Sequence, residues 1–291
     1  MWSGSTERVG LIGWPIRHSL SPAMHNAAFS ALGMDWCYIP LPVHPSRLPE
    51  AVRGLVALGF RGANVTVPHK ETVLPLVTRL SEDAWALGAV NTLVVLGDDP
   101  AGPSTIVGEN TDHRGFLAAL ERAGWTPGSC RHGVVVGAGG AARAVVYALR
   151  RACAARITLL NRSLERASSL AADLDPQIEV LPLAPETLVE CARRADLLVQ
   201  ATPVGMWPKV QETLWPEDAP IPRDLFVFDL VYNPPETRLV QQARNSGAQA
   251  FGGLEMLIEQ GARSFALWTG CDPPIDVMRA ACRRALQEVQ R

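Results

Sequence analysis

The stretch that decides the fold runs from His132 to Ser163: His132-Gly-Val-Val-Val-Gly137-Ala-Gly139-Gly-Ala-Ala142-Arg-Ala144 opens it, a helical run follows, and Ile157-Thr-Leu-Leu-Asn161-Arg162-Ser163 closes it. The β-branched run Val134 to Val136 reads as a buried strand that breaks into glycines, and Ala142 stands where a strand-to-helix phosphate loop needs a small residue for close helix packing. Gly137 permits a tight turn, and Gly139 lets the backbone approach a pyrophosphate. The helix that opens there points unpaired N–H groups and its positive dipole end at an anion.

About 20 residues beyond such glycines, an NAD site carries Asp or Glu for the ribose 2′-hydroxyl. Here that place reads Asn161-Arg162-Ser163. A guanidinium binds a 2′-phosphate through charge-assisted, often bidentate hydrogen bonds, whereas an acid repels it. The expected cofactor is therefore NADP. A glycine-rich turn without a ligand, beside a solvated arginine, is the alternative reading of the same residues.

The chain has 291 residues, of which 47% are hydrophobic and 19% charged, enough for two soluble domains with ample core. A net charge of −2 with no basic block leaves a small ligand, not nucleic acid, as the expected partner. The cysteines (37, 130, 153, 191, 271 and 282) form no Cys-x-x-Cys pair, so neither a zinc site nor a disulfide framework is expected. Buried free thiols in a reducing cytoplasm are the default. The first residues lack the basic-then-apolar order of a signal peptide, and no run reaches about 18 apolar residues, so neither secretion nor membrane insertion is expected.

Strand-like and amphipathic helical runs alternate along the chain, as in parallel α/β architecture. The first third predicts strands near 9–13, 37–41, 63–67, 90–96 and 104–108, helices near 23–32 and 48–57, and a turn at 97–103. From Asp112 to about Gly252 a helix near 115–123 precedes strands near 134, 157, 178, 196 and 226, the series a Rossmann domain requires. Two helices, 254–268 and 274–289, close the chain and could pack on either unit.

Polar residues cluster directly after strand-like runs. In His18-Ser19-Leu20-Ser21-Pro22 two hydroxyls stand two apart, facing one way if the segment is extended. Pro22 starts a helix, so Ser21 is either its N-cap or, with Ser19, a carboxylate ligand. In Asn64-Val-Thr66-Val-Pro68-His69-Lys70 a strand stops at proline, and Lys70 is either a solvated helix-start residue or functional. His18 and His69 adjoin better placed donors and are read as supporting or surface groups. Gly88-Ala-Val-Asn91-Thr92 and Gly108-Glu-Asn110-Thr111-Asp112 each set an amide beside a threonine, and Asp112 could be only a helix N-cap. Reduction of a ketone needs a hydride and a proton, and a lysine ammonium held by a carboxylate supplies the second. Lys70 and Asp112 are the pair that fits.

Taken together these pieces, with Asp229-Leu-Val-Tyr232-Asn-Pro234 and Gly253-Leu-Glu-Met-Leu-Ile-Glu-Gln260-Gly261, resemble the shikimate dehydrogenase family over essentially the whole chain. The resemblance implies NADP-linked reduction of 3-dehydroshikimate to shikimate, on the route to aromatic amino acids. It implies an α/β fold with two domains: residues 1–112 with 254–291 as the substrate domain, 113–253 as the Rossmann-type NADP domain, and the C-terminal helices returning to the first. By similarity Ser19, Ser21 and Tyr232 bind the substrate carboxylate, and Thr66, Lys70, Asn91, Asp112 and Gln260 bind the ring hydroxyls, with Lys70 and Asp112 catalytic. The implied NADP contacts are Gly137, Gly139, Gly140, Ala141, Asn161, Arg162, Ser163, Arg166, Thr202 and Gly253.

Departures from the family pattern are small. Pro203 in Ala201-Thr-Pro-Val-Gly-Met206 stands where serine is frequent, and Ser163 replaces the commoner threonine while keeping the hydroxyl. The Ser-x-Ser pair favours shikimate, since quinate-preferring relatives often carry threonine at the second place. A quinate/shikimate enzyme with looser cofactor choice is the runner-up, and a non-catalytic NADP-binding regulator is the alternative from another class. No metal is expected, and the chain is expected to be a cytoplasmic monomer or homodimer.

Overall fold

The computed structural model describes residues 3–97, 105–126, 128, 130–152 and 154–289. Most of the turn expected at 97–103, the first residue of the strand expected at 104–108, and Cys153 lie outside the described residues. The chain divides into two compact units, Met1–Thr111 with Ile258–Arg291, and Asp112–Leu257.

The first unit holds β1 (Glu7–Gly13), α1 (Ser21–Ala31), β2 (Trp36–Pro42), α2 (Leu48–Ala57), β3 (Phe60–Val65), β4 (Arg79–Leu80), α3 (Glu82–Leu87), β5 (Thr92–Leu96) and β6 (Thr105–Glu109). Its sheet order is β2-β1-β3-β5-β6-β4. β1 lies parallel to β2 and β3, but β5 is antiparallel to both β3 and β6, where the alternating pattern predicted a parallel sheet. The connection from β5 to β6 spans only residues 97–104, and a parallel crossover needs about a dozen or more. One face of the sheet buries Ile12, Val65 and Leu93 against Leu48, Val52 and Leu55 of α2 and Ala84 of α3. α3 escaped the sequence reading because it is one and a half turns long; Ser81 caps it, accepting from the Ala84 N–H at 3.2 Å.

The second unit holds α4 (Asp112–Arg122), β7 (His132–Val136), α5 (Gly140–Arg151), β8 (Arg156–Asn161), α6 (Leu164–Leu174), β9 (Glu179–Pro182), α7 (Pro185–Ala192), β10 (Leu197–Gln200), β11 (Phe226–Asp229), α8 (Arg238–Asn245) and β12 (Gln249–Gly252). All its pairings are parallel, in the order β12-β11-β10-β7-β8-β9, the doubly wound arrangement with its switch point between β7 and β10. Alternate residues choose opposite helix layers: Val135, Leu159 and Val199 pack toward α4, α5 and α6, while Val134, Val136 and Leu198 pack toward α7 and α8. Burial on both faces is why these strands read as continuous apolar runs.

Two helices follow, α9 (Leu254–Thr269) and α10 (Ile275–Val289). From Ile258 onward they belong to the first unit, so the chain returns one turn into α9 and not at its start. Trp268 Nε1 donates to the Leu93 carbonyl at 2.9 Å, which ties α9 to β5. α10 packs on α1. Among the described residues no helix is long and apolar enough to cross a membrane. The free thiols Cys37, Cys130, Cys191 and Cys282 are buried as expected, but Cys271, in the turn after α9, is exposed.

Candidate active site

In the first unit the candidate polar residues gather along one edge of the sheet, and the reversed β5 is the reason. β1, β3 and β6 end at this edge while β5 begins there, so Asn91 before β5 meets the residues that follow the other strands. Backbone bonds hold the set together: Thr66 N–H donates to the Ile12 carbonyl at 2.9 Å, Val65 N–H to Asn91 at 2.8 Å, Asn91 N–H to Glu109 at 3.0 Å, and Val90 N–H to Lys70 at 2.8 Å. Thr66, Lys70 and Asn91 are therefore placed by main-chain pairing.

The buried Asn91 amide donates to Thr111 Oγ1 at 2.9 Å and to Gln260 Oε1 at 3.3 Å. Its oxygen accepts from the Thr111 N–H at 2.8 Å and from Thr92 Oγ1 at 3.0 Å. Periodicity alone left Gln260 indistinguishable from a surface residue; its side chain is in fact buried, on the face of α9 that meets Asn91. Ser264, one turn further on, is the hub behind it. The Ser264 hydroxyl lies 2.8 Å from Thr92 Oγ1, accepts from Asn64 Nδ2 at 2.9 Å and donates to the Gln260 carbonyl at 3.2 Å. Thr111, Asn64 and Ser264 carried no assigned role in the sequence, because only the packing of α9 on β3 and β5 brings them together.

Three local readings change. Ser21 is not an N-cap: it is the first residue of α1, Leu20 occupies the cap position without a side-chain bond, and Ser19 Oγ instead accepts the Ser21 N–H at 3.2 Å. Residues 17–20 turn and bend, so the two hydroxyls are not on an extended strand. No α-helix begins at Lys70, which is half-buried in a turn ahead of a short 3-10 segment at Leu74–Leu76, so the helix-start reading falls. Asp112 is buried as the first residue of α4 itself, where the helix dipole favours a carboxylate. His69 is no surface residue; it is fully buried, its Nε2 2.8 Å from the Val43 carbonyl, whereas His18 is exposed.

In the second unit the glycine turn stands at the switch point. Gly137 has φ +115°, and a Cβ there would sit 3.0 Å from the Ala201 carbonyl, so β10's own continuation demands glycine. At Gly139, the cap of α5, an added Cβ would meet no protein atom within 4 Å, and the cap makes no side-chain bond. The protein's own packing does not call for glycine here. The first-turn N–H groups at Gly140 and Ala141 lie at the helix N-terminus, and Ala142 is fully buried against the sheet. At the end of β8, Asn161 Nδ2 donates to the Ser163 carbonyl at 2.9 Å, and Ser163 Oγ caps α6 by accepting the Arg166 N–H at 3.3 Å. This fixes the turn that carries Arg162 and the first turn of α6 that carries Arg166, both exposed. A cradle open at Gly139, an uncapped helix and two exposed guanidiniums fit a dinucleotide bearing a 2′-phosphate.

Thr202 follows β10, its Cγ2 3.1 Å from where a Gly137 Cβ would stand. Tyr232 follows β11 and is half-buried. Gly253 follows β12, and a Cβ there would collide with the Leu230 carbonyl. Among the described residues no group of three or more His, Cys, Asp or Glu stands ready for a metal.

Family models match the chain in three stretches: a shikimate dehydrogenase substrate binding domain over residues 11–93, a shikimate/quinate 5-dehydrogenase over 126–234, and a shikimate 5′-dehydrogenase C-terminal domain over 253–283. The shikimate dehydrogenase (NADP(+)) of Moorella thermoacetica is 45% identical, covering 97% of this chain and 94% of the relative. The chain belongs to the shikimate dehydrogenase family. The solved shikimate 5-dehydrogenase of Thermus thermophilus, in complex with NADP(H) and shikimate, superposes with a TM-score of 0.84 at 38% identity, covering 96% and 99% of the two chains. A quinate dehydrogenase from Corynebacterium glutamicum in complex with NAD has a TM-score of 0.85 at 32% identity, covering 95% and 98%.

Within this family member one buried acid drew no assignment from the sequence. Asp229 is fully buried at the end of β11, and burial pushes its carboxyl up to about 6 although hydrogen bonds from Thr237 and the Val231 N–H pull it down. The signal was an acid closing the apolar strand Phe226-Val-Phe-Asp229.

Proposed function

We infer that this chain is an oxidoreductase catalysing the reversible NADPH-dependent reduction of 3-dehydroshikimate to shikimate. The observation that carries the reading is the Arg162 turn beside the Gly137–Gly139 cradle, where an acid would mark NAD. Bound there, the cofactor supplies the hydride. The second unit serves as the NADP domain and the first as the substrate domain.

On this reading Gly137, Gly139, Gly140 and Ala141 face the pyrophosphate, and Asn161, Arg162, Ser163 and Arg166 hold the 2′-phosphate side. Thr202 and Gly253 serve the remaining half. Ser19, Ser21 and Tyr232 take the substrate carboxylate, and Thr66, Asn91 and Gln260 take ring hydroxyls. Lys70 Nζ gives its proton to the carbonyl oxygen as negative charge develops there, and the Asp112 carboxylate keeps the ammonium charged and aimed. The proton returns to Lys70 in the oxidative direction. Buried thiols fit a reducing compartment, so a cytoplasmic monomer or homodimer is part of the proposal.

The test is a spectrophotometric assay of NADP+ with shikimate, then with quinate, then each with NAD+, following the reduced nicotinamide. Turnover fastest with NADP+ and shikimate supports the reading. Preference for quinate or NAD+ favours the looser enzyme, and no turnover with any pair leaves a cofactor-binding regulator.

A further inference from the structure

Asp229 plays no part in the chemistry above, yet every contact on its carboxylate is a donor. Oδ1 accepts from Gln200 Nε2 at 3.2 Å and from the Val231 N–H at 3.0 Å, and Oδ2 accepts from Thr237 Oγ1 at 2.6 Å. Each donor anchors a different piece of one sheet edge. Gln200, ending β10, uses its second N–H on the Val204 carbonyl at 3.0 Å and its oxygen on the Thr202 N–H, so it grips residues 201–204. Val231 precedes Tyr232, and its carbonyl accepts the Gly253 N–H at 3.0 Å. Thr237 caps α8 by accepting from the Val240 N–H at 3.3 Å.

In a doubly wound sheet the two halves of a dinucleotide lie on either side of the switch point. Arg162, directly after β8, marks the 2′-phosphate half, so the nicotinamide half lies over β10, β11 and β12. We propose that Asp229 is a positioning residue for the nicotinamide half of NADP(H), holding the loops after β10, β11 and β12 in one register through Gln200, Val231 and Thr237. This rests on the second unit being the NADP domain.

The ionised carboxylate satisfies all three donors, whereas a protonated one carries its own donor and must turn a partner away. Burial places that titration at about 6. The groups touching the carboxylate are neutral; the charged neighbours of Thr237 pair elsewhere, Glu236 with Arg244 and Arg238 with Glu217. Acid is therefore expected to loosen the three loops together.

The experiment titrates the full-length protein calorimetrically with NADP+ and, separately, with adenosine 2′,5′-bisphosphate, the half that lacks nicotinamide, on both sides of pH 6. Both probes carry the 2′-phosphate, which itself titrates near pH 6, and the bisphosphate carries a second such monoester at its 5′ end, so each probe is compared between wild type and variant at the same pH. Acid should weaken NADP+ more in the wild type than in a variant lacking the carboxylate, and weaken the bisphosphate alike in both. Asp229→Asn keeps an acceptor for Gln200 and Val231 but sets an NH2 against Thr237. It should weaken NADP+ by about three- to tenfold at neutral pH, leave the bisphosphate unchanged, and lose the extra pH dependence. Should that variant not fold, Thr237→Val, which deletes the donor on Oδ2, carries the same expectation for the two probes. Equal effects on both probes, or none on either, would overturn the positioning role. Wild-type protein that binds neither probe would instead overturn the NADP domain on which the proposal stands.

Discussion

Ser19 Oγ accepts the backbone N–H of Ser21 at 3.2 Å, so it is Ser19 that serves the start of α1 and the Ser21 hydroxyl that is spared from capping. Ser21→Ala is expected to cost less stability than Ser19→Ala, which costs up to about 1 kcal/mol. Both should raise KM for shikimate with little change in kcat, because a carboxylate remote from the reacting carbon is held alike in ground and transition states. Thermal melts beside steady-state kinetics check this. A Ser21→Ala enzyme that melted several degrees lower at unchanged KM would return Ser21 to a structural role.

Arg162 extends exposed from the turn that Asn161 and Ser163 lock. A charged hydrogen bond is worth about 1.5–3 kcal/mol, or a factor of roughly 10–150 in affinity. Arg162→Ala should weaken NADP+ by that order and leave NAD+ nearly unchanged. Equal losses for the two cofactors would mean that Arg162 shapes the loop instead of reading the phosphate.

Lys70 is held by its own backbone, which accepts the Val90 N–H at 2.8 Å, so replacing the side chain need not disturb the loop. Positioned acid–base groups contribute about 10²–10⁴-fold, and Lys70→Ala should lower kcat by that order with NADP+ binding intact. Asp112→Asn should also depress kcat, and the double variant should be little worse than the worse single one. Fully additive losses would assign the two residues separate tasks.

His25 offers a pH test confined to the first unit. Its ring stacks on Tyr38 at 4.4 Å, neither nitrogen has a hydrogen-bond partner, and burial pushes its pKa down to about 3. The unfolded chain takes up this proton first, so the stability contribution is full above the ordinary value of 6.5 and is lost as pH falls toward 3. At pH 5 the loss approaches about 2 kcal/mol, and His25→Phe should abolish it. Asp229 has the opposite sign, since its raised folded value makes the second unit gain stability as pH falls from about 6 toward 3.8. Hydrogen exchange of the strand amides at pH 5, read outside the loops that Asp229 holds, should therefore show the first unit opening ahead of the second. Denaturation curves for wild type and His25→Phe that lose equal stability between pH 7 and pH 5 would remove His25 as the cause.

Local features of the candidate site were legible in the sequence. The glycine turn at Gly137, the small buried Ala142 and the exposed charge of Arg162 follow from backbone freedom, small size and side-chain type within one strand-helix-strand unit. The N-cap expected of Ser21 failed because the chain enters α1 through a bend at Leu20, a detail set by the packing of residues 14–20 that composition does not encode. Asn64, Thr111 and Ser264 were silent for a different reason, each being an ordinary polar residue until its neighbours arrive from remote parts of the chain.

By itself the sequence determined the alternation of strands and helices, the glycine turn after β7 and the positive charge on the turn after β8, all consequences of periodicity, glycine chemistry and side-chain type over short spans. The tertiary structure alone decided that β5 runs backward and brings Asn91 to the edge where Thr66 and Lys70 follow β3, that α9 delivers Gln260 and Ser264 there, and that Asp229 joins Gln200 of β10 to both ends of the loop after β11. Strand direction and long-range hydrogen bonds depend on which segments pair in space, and a buried polar group takes its meaning from the partners that folding supplies.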